Sequence, residues 1–383
     1  MAYPLEDLRV LDLSRVLAGP FAGRMLADLG ADVVKVEPPA GDVTRLWGAP
    51  IGGNPGYYHQ QNVGKRNVSI DLGNPRGAEL VIALAGQADI VVENFRPGVA
   101  ARLGVGYEAL QKRNPAIVML SISGFGQTGP ESQRAAYAPV IHAESGLIAR
   151  QARLTGQPLV DFTFSMSDTN AALHGLVAVL AAIHLRQRTG LGQHIDMAML
   201  DATLATDDAL HFELEDSEPT KVLPSLVWET AGGPILISAD TRHVWRLLSA
   251  HAQIPDPSLP GDSIEQKSER RKEAIRAYLR GLPDRETVIS VLDTVNLAWG
   301  EVRDGATMQH QVTVQHRDAI GMIDDRAGGT RPFVRSPYKF SAAESGTRRV
   351  APWRGEHNDE VLRDWLGLDD AAIESWGEVL SAG

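Results

Sequence analysis

Asp168 is the residue whose surroundings best suit covalent chemistry. It stands in Phe164–Asn170 (FSMSDTN), at the head of a long stretch with apolar residues at helical spacing. An aspartate there has two readings. It caps the helix by accepting hydrogen bonds from the free N–H groups of the first turn. Alternatively, the helix N-terminus holds it ionised, and the carboxylate attacks an activated carbonyl to form a mixed anhydride. Local sequence leaves both open. The second feature is a set of cations, Arg15, Lys65, Arg66, Arg96 and Arg102. Each lies at or just after a segment expected at one edge of a sheet, where phosphates dock. Ordinary solvated surface charge is the competing account.

Other chemistries lack their residues. With no cysteine there is no thiolate nucleophile, disulfide or thiolate metal site. The eleven histidines form no HExxH pair or His/carboxylate cluster. No GxSxG elbow and no P-loop is present. A dinucleotide turn also fails at the first strand–helix junction. Leu17–Gly23 (LAGPFAG) supplies only Gly19 and Gly23, and Pro20 has no N–H to offer a pyrophosphate. Gly124–Gly129 (GFGQTG) matches GxGxxG formally, but Pro130 follows instead of an apolar helix, so it reads as a connecting loop.

The elements that position these residues alternate along the first two hundred positions. Strands are expected at Arg9–Leu13, Asp32–Glu37, Val68–Leu72, Asp89–Phe95 and Ala116–Ser123, with helices at Pro20–Leu29, Arg76–Gln87 and near Val99–Lys112. Such alternation predicts a mainly parallel sheet covered on both faces, with ligands past the carboxyl ends of its strands. A long helix follows over Asp168–Arg188, its buried face marked by Leu173, Leu176, Val177, Leu180 and Ile183. Next come a strand over Gln193–Met199 and a helix over Leu200–Leu214. The expected organisation is an open α/β domain over the first two hundred residues, a smaller unit over about 222–314, and a remaining segment, 328–383, that is rich in turns and then helical. Linkers fall at about 215–222 and 314–328.

Composition sets the outer bounds. The chain has 383 residues, 43% of them hydrophobic and 22% charged, enough for substantial cores. Lys plus Arg number 37 against 48 Asp plus Glu, a net charge of −11. That balance argues against nucleic acid or an anionic membrane as partner, while leaving room for a local basic pocket. The first residues carry Glu6, Asp7 and Arg9 rather than an apolar signal core, and Leu176–Ile183 is too short to span a bilayer. A cytoplasmic enzyme without membrane contact is expected.

Several of these segments, in order, are similar to one family. Val10–Pro20 (VLDLSRVLAGP), Leu26–Glu37 (LADLGADVVKVE), Gly64–Arg66 with Ile70–Leu72, Val92–Gly98 (VENFRPG) and Ser123–Pro130 (SGFGQTGP) resemble the CaiB/BaiF family, the class III coenzyme A transferases. Arg186–Gln193 with Asp196–Asp201, Ser336, Pro337 and Phe340, and Gly355–His357 with Val361, Leu362, Leu366 and Gly367 continue the likeness. It is collinear over about residues 4–214 and 335–370.

The resemblance implies an acyl-CoA and a carboxylic acid as substrates, no permanently bound cofactor, and a catalytic aspartate that falls on Asp168. It implies CoA contacts at Val16 and Ala18 (backbone), Lys65, Asn94, Phe95 and Arg102, with Arg15 beside the nucleotide and Tyr137 also among the CoA-binding residues. It further implies a large Rossmann-like domain over 1–215, completed by 328–383, a smaller α+β domain over 222–314, and a homodimer of interlocked chains. The α-methylacyl-CoA racemases share the fold and use a histidine and an aspartate as an acid–base pair. Their histidine position aligns with Tyr137, which matches the transferases instead. His142 replaces a frequent family glutamine, and a displaced acid–base role for it is the racemase alternative. Ala138 replaces a frequent acid. The glycine loop of some members has no counterpart beyond Ala231–Pro234. A non-catalytic CoA-binding protein is the third reading.

Overall fold

The computed structural model describes residues 2–215, 217 and 225–381. Six parallel strands form the central sheet: β1 (Arg9–Asp12), β2 (Asp32–Glu37), β3 (Arg66–Ser69), β4 (Ile90–Glu93), β5 (Val118–Ser123) and β6 (Gln193–Ala198). Their spatial order is 3-2-1-4-5-6. This is the doubly wound order, in which the chain reverses direction across the sheet beside β1 and leaves a crevice at the carboxyl ends there. Apolar runs such as IVV and VML suit strands covered on both faces.

Helices α1 (Ala18–Asp28), α2 (Pro75–Ala85), α3 (Ala138–Glu144), α4 (Leu147–Thr155), α5 (Met166–Thr189) and α6 (Met199–Thr206) accompany the sheet. The single helix expected near 99–112 is two, Val99–Arg102 and Tyr107–Arg113. Gly104 adopts φ +78° between them, where a helix cannot continue. The expected helix over 200–214 is likewise divided into α6 and Leu210–Leu214. The third strand begins two residues earlier than expected, at Arg66, with consequences for its cations.

Helix α5 corrects a second expectation. Leu176 and Ile183 are buried, but Leu173, Val177 and Leu180 face outward, and Val177 is 68% exposed. The buried face is built from Ala171, Ala172, Gly175, Val179 and Ala182 beside those two residues. Small side chains let α5 lie close on the sheet, and the larger apolar ones are left on the other side. At 24 residues α5 is long and apolar enough to cross a bilayer, yet it packs as a core helix against α1, β5 and β6.

The chain divides into two compact units, Met1–Leu210 with His316–Gly383, and His211–Gln315. In the first, the returning segment supplies Val361, Leu362, Trp365, Ile373 and Val379 to the core that covers Leu80, Leu84 and Val91. Where a linker was expected over 314–328, Ile320–Asp324 pairs with Thr330–Val334 as an antiparallel hairpin. The second unit has its own antiparallel sheet, with strands Ser225–Thr230, Gly233–Ser238 and Trp299–Glu301. Helices Thr241–Ala252, Ile264–Gly281 and Arg285–Thr294 accompany it, over a core of Trp228, Ile237, Trp245, Leu248 and Ile275. Apart from residues 215 and 217, the linker expected at 215–222 lies outside the described residues, as does residue 222, where the smaller domain was expected to begin.

Candidate active site

Beyond the carboxyl ends of β1, β4 and β5 lies a cleft of about 710 Å³. Arg15, Val16, Ala18, Asn94, Phe95, Tyr137 and Asp168 all line it, together with Arg96 and Arg134. Eight residues singled out in the sequence, these seven and Arg96, therefore converge from four separate segments. The doubly wound topology is the cause, because it brings the ends of β1 and β4 side by side.

Asp168 is not the N-cap of α5. Ser165 occupies that position and its side chain makes no cap hydrogen bond, so Asp168 is the third residue of the first turn. The residue is 8% exposed. Burial pushes its pKa up to about 6, while hydrogen bonds from the backbone N–H groups of Ala138 and Ala18, and the nearness of His142, pull the other way. Ala18 is the first residue of α1 and Ala138 the first of α3. Three helix starts thus meet at one carboxylate, and among the described residues no salt bridge holds it.

Ordered loops present these donors. Asn94 holds the backbone of Arg15 at both ends: its Oδ1 accepts from Arg15 N–H at 2.8 Å and its Nδ2 donates to Arg15 O at 2.8 Å. Val16 lies in the left-handed region at φ 70°, where a β-branched residue is strained. Its N–H donates to Asp42 Oδ2 at 3.2 Å, and Asp42 pairs with the buried Lys35 at 3.2 Å. Lys35 also donates to Ser14 O at 2.8 Å. Gly19 and Gly23, which fail as a phosphate turn, serve close approach. A Cβ at Gly19 would lie 2.1 Å from Ser14 Cβ, and one at Gly23 would lie 2.7 Å from Asp12 Oδ2.

Two expected CoA contacts are not in the cleft. Lys65 is fully buried, donating to Asp12 Oδ2 at 2.7 Å, Pro20 O at 2.8 Å and Asn62 Oδ1 at 3.0 Å. It precedes β3, at the opposite end of that strand from the ligand edge, and its ammonium is consumed by internal partners. Arg66 is spent in the same way on Asp32, Glu360 and Asp364. Arg102 is exposed on the short helix Val99–Arg102 and does not line the cleft. Arg15 and Arg96 do line it.

A second cavity of about 1020 Å³ adjoins the cleft through Arg15 and Phe95, which line both. Leu13, Val36, Ile70, Leu72 and Leu103 make it mainly apolar. Sequence reasoning missed Tyr57, whose phenol is pushed up to about 12 by burial and by the charges of Asp168 and Asp42. Its ring meets Trp47 edge-on at 5.1 Å. No motif spacing marks that pair. His142, weighed as a displaced acid–base residue, is buried outside the cleft lining with both ring nitrogens engaged. Among the described residues no cluster suits a metal ion.

Known proteins match this chain along nearly its whole length. A family model described as CoA-transferase family III matches residues 5–358. The succinate–glutarate CoA-transferase of Agrobacterium fabrum is 33% identical over 96% of this chain and 97% of its own. The succinyl-CoA–D-citramalate CoA-transferase of Chloroflexus aurantiacus is 34% identical, with coverages of 97% and 96%. The crystal structure of a CaiB/BaiF family protein from Brucella suis superimposes with a TM-score of 0.80 at 29% identity, over 95% of this chain and 100% of that one.

Proposed function

The chain belongs to CoA-transferase family III, and from that premise we propose that it moves CoA between an acyl-CoA and a free carboxylic acid through covalent intermediates on Asp168. The observation that carries this reading is that Asp168 is the sole carboxylate among the residues lining a cleft that also holds three arginines. The carboxylate attacks the thioester carbonyl, the C–S bond breaks, and CoA thiolate leaves an acyl–aspartyl anhydride. The thiolate attacks the aspartyl carbonyl, releasing the first acid and forming an aspartyl-CoA thioester. The acceptor carboxylate attacks that thioester, and the returning thiolate takes the new acyl group and frees Asp168. The Ala18 and Ala138 N–H groups are suited to hold the aspartyl oxygen as charge builds on it.

Arg15 and the apolar cavity beside it suit the nucleotide and pantetheine of CoA. The relatives named for succinyl-CoA and for glutarate, with the arginines of the cleft, support dicarboxylic acids as acyl and acceptor groups. The homodimer is part of the proposal, and the exposed Leu173, Val177, Leu180 and Leu185 of α5 offer an apolar face for it. The racemase reading is weakened because, among the described residues, no histidine lines the cleft.

The test is to incubate the protein with succinyl-CoA and other acyl-CoAs, trap with hydroxylamine and map the modified residue by mass spectrometry. A hydroxamate on Asp168, absent from Asp168→Ala, is the expected result. Solvent deuterium entering the α-carbon without any acceptor acid would favour racemisation, and no CoA binding would remove both readings.

A further inference from the structure

We propose that His142 is a positioning residue for Asp168, its imidazole standing in for the missing cap of α5 and locking the segment before α5 in place. The proposal rests on the reading of Asp168 as nucleophile. His142 is 1% exposed and does not line the cleft, so it acts through its neighbours and not on substrate.

The two ring nitrogens join three elements. Nδ1 lies 2.7 Å from Asp161 Oδ1, in the segment between α4 and α5. Nε2 accepts from the N–H of Ser167 at 3.3 Å, the residue immediately before Asp168. These partners assign the proton of the neutral ring to Nδ1. The Ser167 N–H is one of the free donors of the first turn, and Ser165 supplies no side-chain acceptor for it. The ring of Phe162 meets the imidazole edge-on at 5.3 Å. His142 lies on α3, whose first residue, Ala138, gives its N–H to the Asp168 carboxyl. One short helix therefore grips both the nucleophile and the backbone beside it.

This arrangement needs an acceptor at Nε2, which the ring offers when its proton sits on Nδ1. Asp161 and Asp168 are the carboxylates facing the ring. Glu144, on the same helix, is engaged by Arg134. Arg150 on α4 is engaged by Asp207, which follows α6. A glutamine at 142 keeps one donor and one acceptor with no proton to gain, and a leucine keeps neither.

The experiment measures the rate of Asp168 acylation by succinyl-CoA, by rapid quench and hydroxylamine trapping, across pH for wild type, His142→Gln and His142→Leu. His142→Leu is expected to acylate at least about tenfold more slowly at mildly alkaline pH, with KM for succinyl-CoA within about twofold. His142→Gln is expected to stay within about threefold of wild type there, because the amide keeps one donor and one acceptor. A leucine variant acylating at the wild-type rate, or a glutamine variant as slow as the leucine one, overturns the proposal while leaving the nucleophile in place. If the leucine variant does not fold, the glutamine variant decides. A wild type that yields no hydroxamate on Asp168 overturns the nucleophile and this proposal together.

Discussion

Asp12 and Asp168 are two buried aspartates near the same edge of the sheet, and their surroundings differ in one respect. Asp12, the last residue of β1, meets Lys65 at 2.7 Å and lies beside Lys35. Burial alone would raise its pKa, but the two ammonium groups, with hydrogen bonds from Lys65 and Ser14, hold it below the ordinary value. Asp168 has backbone N–H donors and a neighbouring imidazole but no cation of its own, and burial wins, to about 6. A carboxylate closed by an ammonium is spent on the fold. One held only by N–H dipoles keeps reactive lone pairs, at a cost in stability. The loop Ser14–Ala18 joins them, since Asp12 Oδ1 accepts Ser14 N–H at 3.0 Å and Ala18 donates to Asp168.

The comparison breaks most visibly at Asp168. Asp168→Asn is expected to lower CoA transfer by about a thousandfold or more, because the amide cannot attack the thioester. Stability should move the other way. A carboxyl whose folded pKa is raised favours the folded state in acid, and that advantage is lost as pH climbs from about 4 to about 6. Above that range the asparagine variant is expected to be more stable than wild type by about 1–3 kcal/mol, measured by urea unfolding. An asparagine variant less stable than wild type near neutral pH would show that Asp168 is a structural carboxylate like Asp12.

The next largest effect lies at Lys65. Lys65→Met leaves Asp12 buried without its closest cation and is expected to cost about 3–5 kcal/mol of unfolding free energy. Combining it with Asp12→Leu should restore much of that loss, since a buried ion pair and a packed apolar pair are often comparable in stability. Folded Lys65→Met is expected to bind CoA with unchanged affinity, read by calorimetry, because the ammonium faces inward. A large loss of affinity would return Lys65 to the role first expected for it.

That first expectation shows where sequence reading stops. β1, β2, β4 and β5 were legible because strands buried on both faces read as short runs rich in Val, Ile and Leu, even where Lys35 interrupts β2. Asp168 was legible as the head of a long helix, and its cleft neighbours through family motifs. That Lys65 and Arg66 turn to internal partners rather than to the cleft was not legible, because a short strand carries no mark of which end faces the ligand edge. Leu173, Val177 and Leu180 were misassigned because a 3.6-residue period shows a face without showing what covers it. His142 and Tyr57 reach Asp168 only through folding, so no spacing announces them. Gly19 and Gly23 were seen but not understood, since their need is set by Ser14 and Asp12 across the junction.

A smaller effect follows from the pH dependence of Asp168 itself. The nucleophile is the ionised form, so kcat/KM for the acyl-CoA is expected to fall in acid, with a limb near pH 6. One pH unit below the limb the rate should be down about tenfold. Asp12, held low by its lysines, should contribute nothing to that limb. The profile therefore separates the two carboxylates without mutation. A limb near the ordinary aspartate value would mean that Asp168 is not desolvated in the working enzyme.

The finest test concerns the loop between the two carboxylates. Asn94 makes two 2.8 Å hydrogen bonds to the backbone of Arg15 and none to either aspartate. Asn94→Ala frees that backbone and lets the strained Val16 relax, so Arg15 and the Ala18 N–H lose a fixed position. Each hydrogen bond of this kind is worth about 1 kcal/mol, and the expected result is a rise of about five- to tenfold in KM for acyl-CoA, with little loss of stability. The pH limb should move slightly upward, because the Ala18 N–H is one of the groups that lower the Asp168 pKa against burial. A raised KM with an unmoved limb would mean that Asn94 serves CoA alone and that α1 holds Ala18 without help from this loop.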